Sequence, residues 1–404
     1  MITRRLILPA LVVAIVAVWW ASGFGRLPTE PRRFFTEQEI ARANEYQGPR
    51  YAAYAIGTVL GLVVLGALAF TSAGDLLLRP ARSWPWPLSA GGAVVLTTVA
   101  VAVVRLPVSF WRGYLHERAW GFSTQSVAGW LGDWGKGLGV SVLISALILV
   151  GLVALIRLLP QAWPAVAAVG GAAVIALLTY LSPVLFEPLF NRFEPLQDRE
   201  LAAELMLLAD RAGVPVREVL VSDASRRTTK ENAYVSGFGT TRRLVVYDTL
   251  LTNADRDEIE LVVAHELGHR RDHHVEWGTV IGAVAAAAGV LALWFLLRSD
   301  SVLRAARASA PADPRIVPFL IFSVALLNLV VLPPSNWLSR RFERTADRFA
   351  LELTGDVDAY VRTERGLALR NLSDLDPGPI TYRFLFTHPS PAERIAMAVE
   401  VERT

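Results

Sequence analysis

The sequence predicts a mainly α, multi-pass membrane protein of about seven transmembrane helices, with a polar region that contains a small β-sheet. Three observations carry this. Hydrophobic residues make up 53% of the 404-residue chain and charged residues only 19%, an unusual balance for a soluble protein. The apolar residues gather into runs of roughly 17 to 24, the length a helix needs to cross about 30 Å of hydrocarbon. The polar residues collect in two stretches separated by two of those runs. Buried helices of a soluble protein would have to be long and apolar all round, several times in one chain, to give the same pattern.

The runs lie at 6–22, 52–71, 88–106, 138–156, 163–186, 275–297 and 316–332. The first follows Arg4 and Arg5 and ends near Ala21, Ser22 and Gly23, as a cleaved signal peptide would. Its apolar part is longer than a usual signal core, and Trp19 and Trp20 resemble an interfacial belt, so a retained helix is expected. The chain then divides into an N-terminal membrane region of five helices (1–186), a polar region (187–274), two further transmembrane helices (275–335) and a polar C-terminal region (336–404).

Without cysteine there is no disulfide framework, thiolate metal site or cysteine nucleophile, so any metal must be held by His, Asp or Glu. The formal charge of +3 comes almost entirely from arginine, with lysine only at positions 136 and 230, and no basic block suits nucleic acid. Arg26, Arg32, Arg33, Arg42 and Arg50 on one face of the membrane are answered by Arg79, Arg82, Arg298, Arg304, Arg307 and Arg315 on the other. Charge alone therefore leaves the orientation tied. The arginine-for-lysine usage and Ala/Val-rich runs point to a bacterial plasma membrane.

Because two crossings separate them, the polar stretches 187–274 and 336–404 lie on the same side and can meet. In the first, Leu201, Leu205 and Leu208 give an amphipathic helix over 198–212, stopped by Gly213 and Pro215. Strand-like segments follow at 218–222, 233–236 and 243–248, the last two joined by a Gly-Phe-Gly-Thr-Thr turn as a hairpin. A helix starting near Asp255 then carries Ile259, Leu261, Val262 and Val263 into the segment His265-Glu266-Leu267-Gly268-His269.

That spacing puts two imidazoles one helical turn apart, where both can bind one zinc ion, the arrangement of a zincin-like catalytic region. Glu266 sits beside the metal without being needed as a ligand. There it can take a proton from a zinc-bound water and pass it to the leaving amine. Catalytic zinc usually has three protein ligands. His273 lies two i to i+4 steps, about 12 Å along the axis, from His265, too far to complete the site. It reads as a supporting or surface residue, and His274 as solvent-facing. Glu343 is a better third ligand, with Asp347 one turn on to accept the spare N–H of a ligand histidine. On spacing alone, however, both are better read as surface charges of an Arg-rich helix.

From about Arg112 to Arg394 the chain resembles the type 1 CAAX prenyl protease family of membrane zinc metallopeptidases. Besides the histidine motif, the resemblance rests on Glu117-Arg118-Ala119-Trp120-Gly121-Phe122-Ser123-Thr124-Gln125, on Asn232-Ala233-Tyr234, and on Tyr247-Asp248-Thr249-Leu250-Leu251. Glu343 with Asp347, and Thr387-His388-Pro389 with Arg394, complete it. The resemblance implies seven helices around a water-filled chamber, with one zinc ion at its cytoplasmic end. It makes Glu343 the third zinc ligand, and Asn232, Ala233 and Tyr234 the strand edge that pairs with an extended substrate. It also makes His388 and Arg394 the pair that stabilises the oxyanion and supports the site. The residues around Phe122 match the family with no physical role evident from sequence.

The expected function is a zinc endopeptidase acting on C-terminal CAAX-like peptides or on membrane proteins in quality control. Its partners would be a peptide substrate, prenylated or membrane-inserted, and the lipid bilayer. A transporter is opposed by the near absence of ionisable residues in the apolar runs, and an inactive zinc-bound scaffold by Glu266.

Overall fold

The computed structural model describes residues 29–401. Among them six helices are long and apolar enough to cross a membrane: Glu37–Phe70 (α1), Trp86–Ala119, Val127–Leu158 (α3), Trp163–Phe190, His274–Leu297 (α7) and Pro314–Thr354. The expected run at 6–22 lies outside the described residues. Most of each helix stays uncovered by protein, and side chains such as Val59, Leu147, Val169 and Val284 point outward, as lipid-facing residues do. Several helices outrun their apolar segments because polar turns extend them beyond the hydrocarbon. α1 starts at a capping box, in which the Thr36 side chain accepts from the Glu39 backbone N–H and the Glu39 carboxylate accepts from that of Thr36.

The second crossing is bent where it leaves the membrane. α2 (Trp86–Phe110) contains Pro107, and the chain passes through a π-helical turn at Trp111–Leu115 before ending at His116–Ala119. The widened turn aims His116 and Glu117 back at α1, where His116 Nε2 lies 2.9 Å from the Tyr46 carbonyl.

Between α4 (Trp163–Leu185) and the histidine helix lies a four-stranded sheet in the order β1-β2-β4-β3. β1 (Phe193–Pro195) pairs antiparallel with β2 (Val219–Ser222), β2 parallel with β4 (Arg243–Tyr247), and β4 antiparallel with β3 (Ala233–Ser236). The expected strands and hairpin are present. The additional β1 is three residues long and ends in proline, features that hide an edge strand from pattern reading. The amphipathic helix is α5 (Arg199–Arg211), capped by the Asp198 carboxylate, which accepts from the N–H groups of Glu200 and Leu201.

One core joins this region. Leu201, Leu205 and Leu208 of α5 pack with Leu244 and Val246 of β4, with Ile259, Val263 and Leu267 of α6 (Arg256–Arg271), and with Phe349 and Ala350 of α8 (Val317–Thr354). α8 has 38 residues, about 57 Å at 1.5 Å per residue, so it cannot fit within about 30 Å of hydrocarbon and must project from it. Its projecting half packs on α6. The close approach requires Gly268, where a Cβ would lie 3.0 Å from Phe349 Cδ1 and 3.1 Å from the Ala346 Cα.

Gly268→Ala tests this contact. Removing a helical glycine stabilises by about 1 kcal/mol, but overpacking against a backbone atom costs about 1–3 kcal/mol. The expected result is a lower melting temperature together with weaker metal binding, read by thermal unfolding and metal titration. An unchanged affinity would mean that the α6–α8 spacing does not govern the site.

Candidate metal centre

α6 presents His265 and His269 on one face, and α8 lays Glu343 against them. His265 Nε2 is 3.1 Å from His269 Nε2 and 3.2 Å from Glu343 Oε2, while His269 Nε2 is 3.4 Å from Glu343 Oε1. Among the described residues, these three side chains form a group whose ligand atoms all lie within 4.8 Å of one another. Drawn in from two separate helices, these atoms present lone pairs that could converge on one cation. Glu343 Oε2 is buried and has no hydrogen-bond partner, a costly state for a carboxylate oxygen unless a cation meets it. Two imidazole nitrogens and one carboxylate are the donor set of an open catalytic zinc site, so the residues fit such an ion.

The outward nitrogens of both rings are occupied, which leaves the Nε2 atoms for a metal. His265 Nδ1 is 2.8 Å from Asp347 Oδ1. His269 Nδ1 is 3.0 Å from His274 Nδ1, so one of the two donates and the other accepts. His274 stacks on Phe342 with ring centres 4.3 Å apart and is buried. The expectation of a solvent-facing His274 is therefore corrected. Its cause is His273, which adopts a left-handed backbone at φ 55° and ends the phase of α6, so that positions counted along one continuous helix no longer apply. His273 itself is exposed.

Glu266 follows His265 on α6 and is partly buried. Burial pushes its carboxyl above the ordinary carboxylate value, while the neighbouring histidines pull it down. His388, in the turn after α10 (Pro379–Leu385), places Nε2 at 3.4 Å from Glu343 Oε2 and is exposed to the cleft. Its Nδ1 meets the Thr387 hydroxyl at 2.8 Å. The fully buried Arg340 of α8 holds this turn by donating to the carbonyls of Tyr382 and Phe386. Arg394 of α11 (Pro391–Val401) lies on the far side of His265. It donates to both Asp347 oxygens, pairs with Glu364 of α9 (Val357–Arg370) at 2.7 Å, and has Nη2 at 3.3 Å from His265 Nδ1. Burial alone would lower its pKa, but Asp347 and Glu364 hold it well above the usual arginine value. Glu364 was not singled out in the sequence. An acidic residue six places after Asp358 on a surface-like helix gives no signal of burial.

Asn232 leads into β3, the last strand of the sheet, which begins with Ala233 and Tyr234. Among the described residues β3 pairs only with β4, so its other edge carries no strand. The Tyr247 N–H donates to the Asn232 carbonyl, which makes 232 and 247 a hydrogen-bonded pair. In an antiparallel ladder such pairs alternate, so 234 and 236 also bond to β4, while the backbone groups of Ala233 and Val235 face the open edge. Arg270 of α6 donates to the Val235 carbonyl. The Ala233 N–H and C=O are thus left without a strand partner, on a residue that is itself buried at 1% exposure.

Comparison with known proteins agrees with this picture. Residues 195–402 match the model of peptidase family M48, and residues 23–192 match a model described as CAAX prenyl protease N-terminal, five membrane helices. The chain is 30% identical to an uncharacterized metalloprotease, YhfN, of Bacillus subtilis, over 92% of this chain and 88% of that one. It is 29% identical to CAAX prenyl protease 1 of Saccharomyces cerevisiae, over 72% and 68%. The crystal structure of S. mikatae Ste24p superposes with a TM-score of 0.80 at 25% identity, covering 94% of this chain and 93% of that one.

Proposed function

From the chain's membership of peptidase family M48, which makes it an integral-membrane metalloprotease, we propose that it is a zinc endopeptidase whose ion is held by His265, His269 and Glu343. The observation that carries this reading is the convergence of those three ligand atoms from two helices beside Glu266. When bound there, zinc would supply Lewis acidity to the scissile carbonyl and to the attacking water. Glu266 would accept a proton from the attacking water and deliver it to the leaving nitrogen. His388 faces the cleft, where an imidazole N–H can donate to the oxygen on which negative charge develops. Asp347 fixes the tautomer of His265, and Arg394 with Glu364 fixes Asp347. The contacts of Arg394 support the role of holding the site more than that of meeting the oxyanion.

The substrate lies extended along the open edge of β3, with the Ala233 backbone as its partner and Asn232 and Tyr234 flanking it. The Arg270 bond to Val235 limits how far that pairing can run. This geometry asks for an unfolded or terminal stretch of peptide, which both CAAX-like C-termini and membrane proteins in quality control provide. The bacterial relative and the arginine-rich composition support a bacterial plasma membrane, and the family resemblance supports a site on its cytoplasmic side.

Two measurements test the reading. Purified protein should carry one zinc per chain and cleave an unfolded reporter peptide, and comparison of prenylated with unprenylated CAAX reporters will assign the substrate class. In a scan of reporter peptides with single N-methylated amides, the position that meets Ala233 should show KM raised about tenfold, the worth of one hydrogen bond. Equal KM at every position would rule out the strand-edge mode.

A further inference from the structure

The segment that resists a functional reading in the sequence, Glu117 to Gln125, is packed against the residues that lead into β3. Residues 121–124 run beside 225–229 as a short antiparallel ladder. The Thr229 N–H donates to the Phe122 carbonyl at 3.0 Å, the Thr124 N–H to the Arg227 carbonyl at 3.2 Å, and Ser123 bridges Thr228. Next in the chain is Lys230, one of two lysines in a protein that otherwise uses arginine. Its ammonium lies 3.0 Å from Glu117 Oε2, 2.6 Å from the Tyr46 hydroxyl and 4.6 Å from the centre of the Phe122 ring. Tyr46 is fully buried on α1 and donates to Glu117 Oε1 at 2.7 Å, and Arg50 pairs with the same oxygen at 3.0 Å.

The following residue is fastened from the other side. Both Glu231 oxygens accept from Arg370 at 2.9 Å, and the Glu231 N–H donates to Asn371 Oδ1 at 3.1 Å. The strand edge begins immediately afterwards, at Asn232 and Ala233. Three segments distant in sequence therefore converge on the two residues that enter β3. Desolvating an ion pair recovers little net stability, so stabilisation alone is a weak reason for such an arrangement. A paired charge is instead well suited to fixing one register, because any slip leaves a buried ion unpaired. A compact ammonium can sit between a carboxylate, a hydroxyl and an aromatic face, which the planar fork of arginine would not fit in the same way.

We propose that Glu117 and Lys230, bridged by the buried Tyr46, form a half-buried latch between the bent end of the second crossing and the entry to β3, and that they act as positioning residues for the substrate-receiving edge. This inference rests on the strand-edge reading above. The latch contacts neither the metal ligands nor Glu266, so it bears on peptide binding and not on the chemical step.

Its test uses the full-length protein in detergent, an unfolded fluorogenic peptide and that peptide's N-methylated series. Glu117→Gln and Lys230→Met should raise KM about tenfold with kcat within about twofold and zinc content unchanged, and the double variant should be no worse than the worse single one. The tenfold penalty of the sensitive N-methyl position should shrink in each variant, a change that general loosening of the fold would not produce. Tyr46→Phe keeps the buried ring and removes only the bridging hydroxyl, so it reports on the latch even if the charge variants misfold. It should shift KM in the same direction and blunt the same penalty. Wild type insensitive to every N-methyl position overturns the strand-edge reading. Wild type sensitive, with the sensitivity and KM unaltered in Tyr46→Phe and Glu117→Gln, overturns the latch alone.

Discussion

Glu266→Gln is expected to lower kcat by about 10²–10⁴-fold while the protein retains one zinc per chain and its melting temperature. The substitution keeps the shape of the side chain and removes only its capacity to take a proton. Glu266 coordinates nothing in the proposed site, since His265, His269 and Glu343 supply the three ligands and leave one position for water. KM should stay near the wild-type value, because the strand edge that receives substrate is untouched. Metal analysis beside steady-state kinetics reads both halves of the prediction. Loss of zinc in this variant would turn Glu266 into a ligand, and full activity would remove it from the chemistry.

Glu343→Ala should behave in the opposite way. Removing the carboxylate leaves two imidazoles, and zinc affinity should fall by more than the roughly 10–100-fold lost when only a supporting partner of a ligand is removed. Cleavage falls with it and returns in part at high added zinc. The two variants thus separate a metal ligand from a proton carrier by metal content alone, although both abolish turnover. If Glu343→Ala kept its zinc, the third ligand would have to come from another carboxylate, and Asp347 is unsuited to that because Arg394 and His265 already claim its oxygens. Asp347→Asn should be milder than either, since it loosens His265 without removing a donor.

Much of this protein can be read along the chain because membranes and metals impose short-range rules. The apolar runs set where α1, α3 and α7 cross, and the hairpin announces itself through Gly237 and Gly239, both at positive φ. Strand alternation and the one-turn spacing of His265 and His269 likewise need only local sequence. What escapes is set by tertiary contact or by a break in periodicity. His274 is misplaced when α6 is continued past Arg271, because a single left-handed residue re-aims everything after it. β1 exists because β2 offers it an edge, not because three residues ending in proline favour a strand. The bridge between Ser123 and Thr228 joins residues more than 100 positions apart, and no pattern within either segment encodes it.

α8 begins in the lipid-facing half of the molecule and ends in the core beneath the sheet, without a break in its backbone. The same helix thus lies in lipid at one end and carries the Glu343 carboxylate at the other, with Pro333 and Pro334 inside it. A bilayer thickness that tilts its apolar half is expected to alter turnover, which hydrolysis in vesicles of differing acyl-chain length measures.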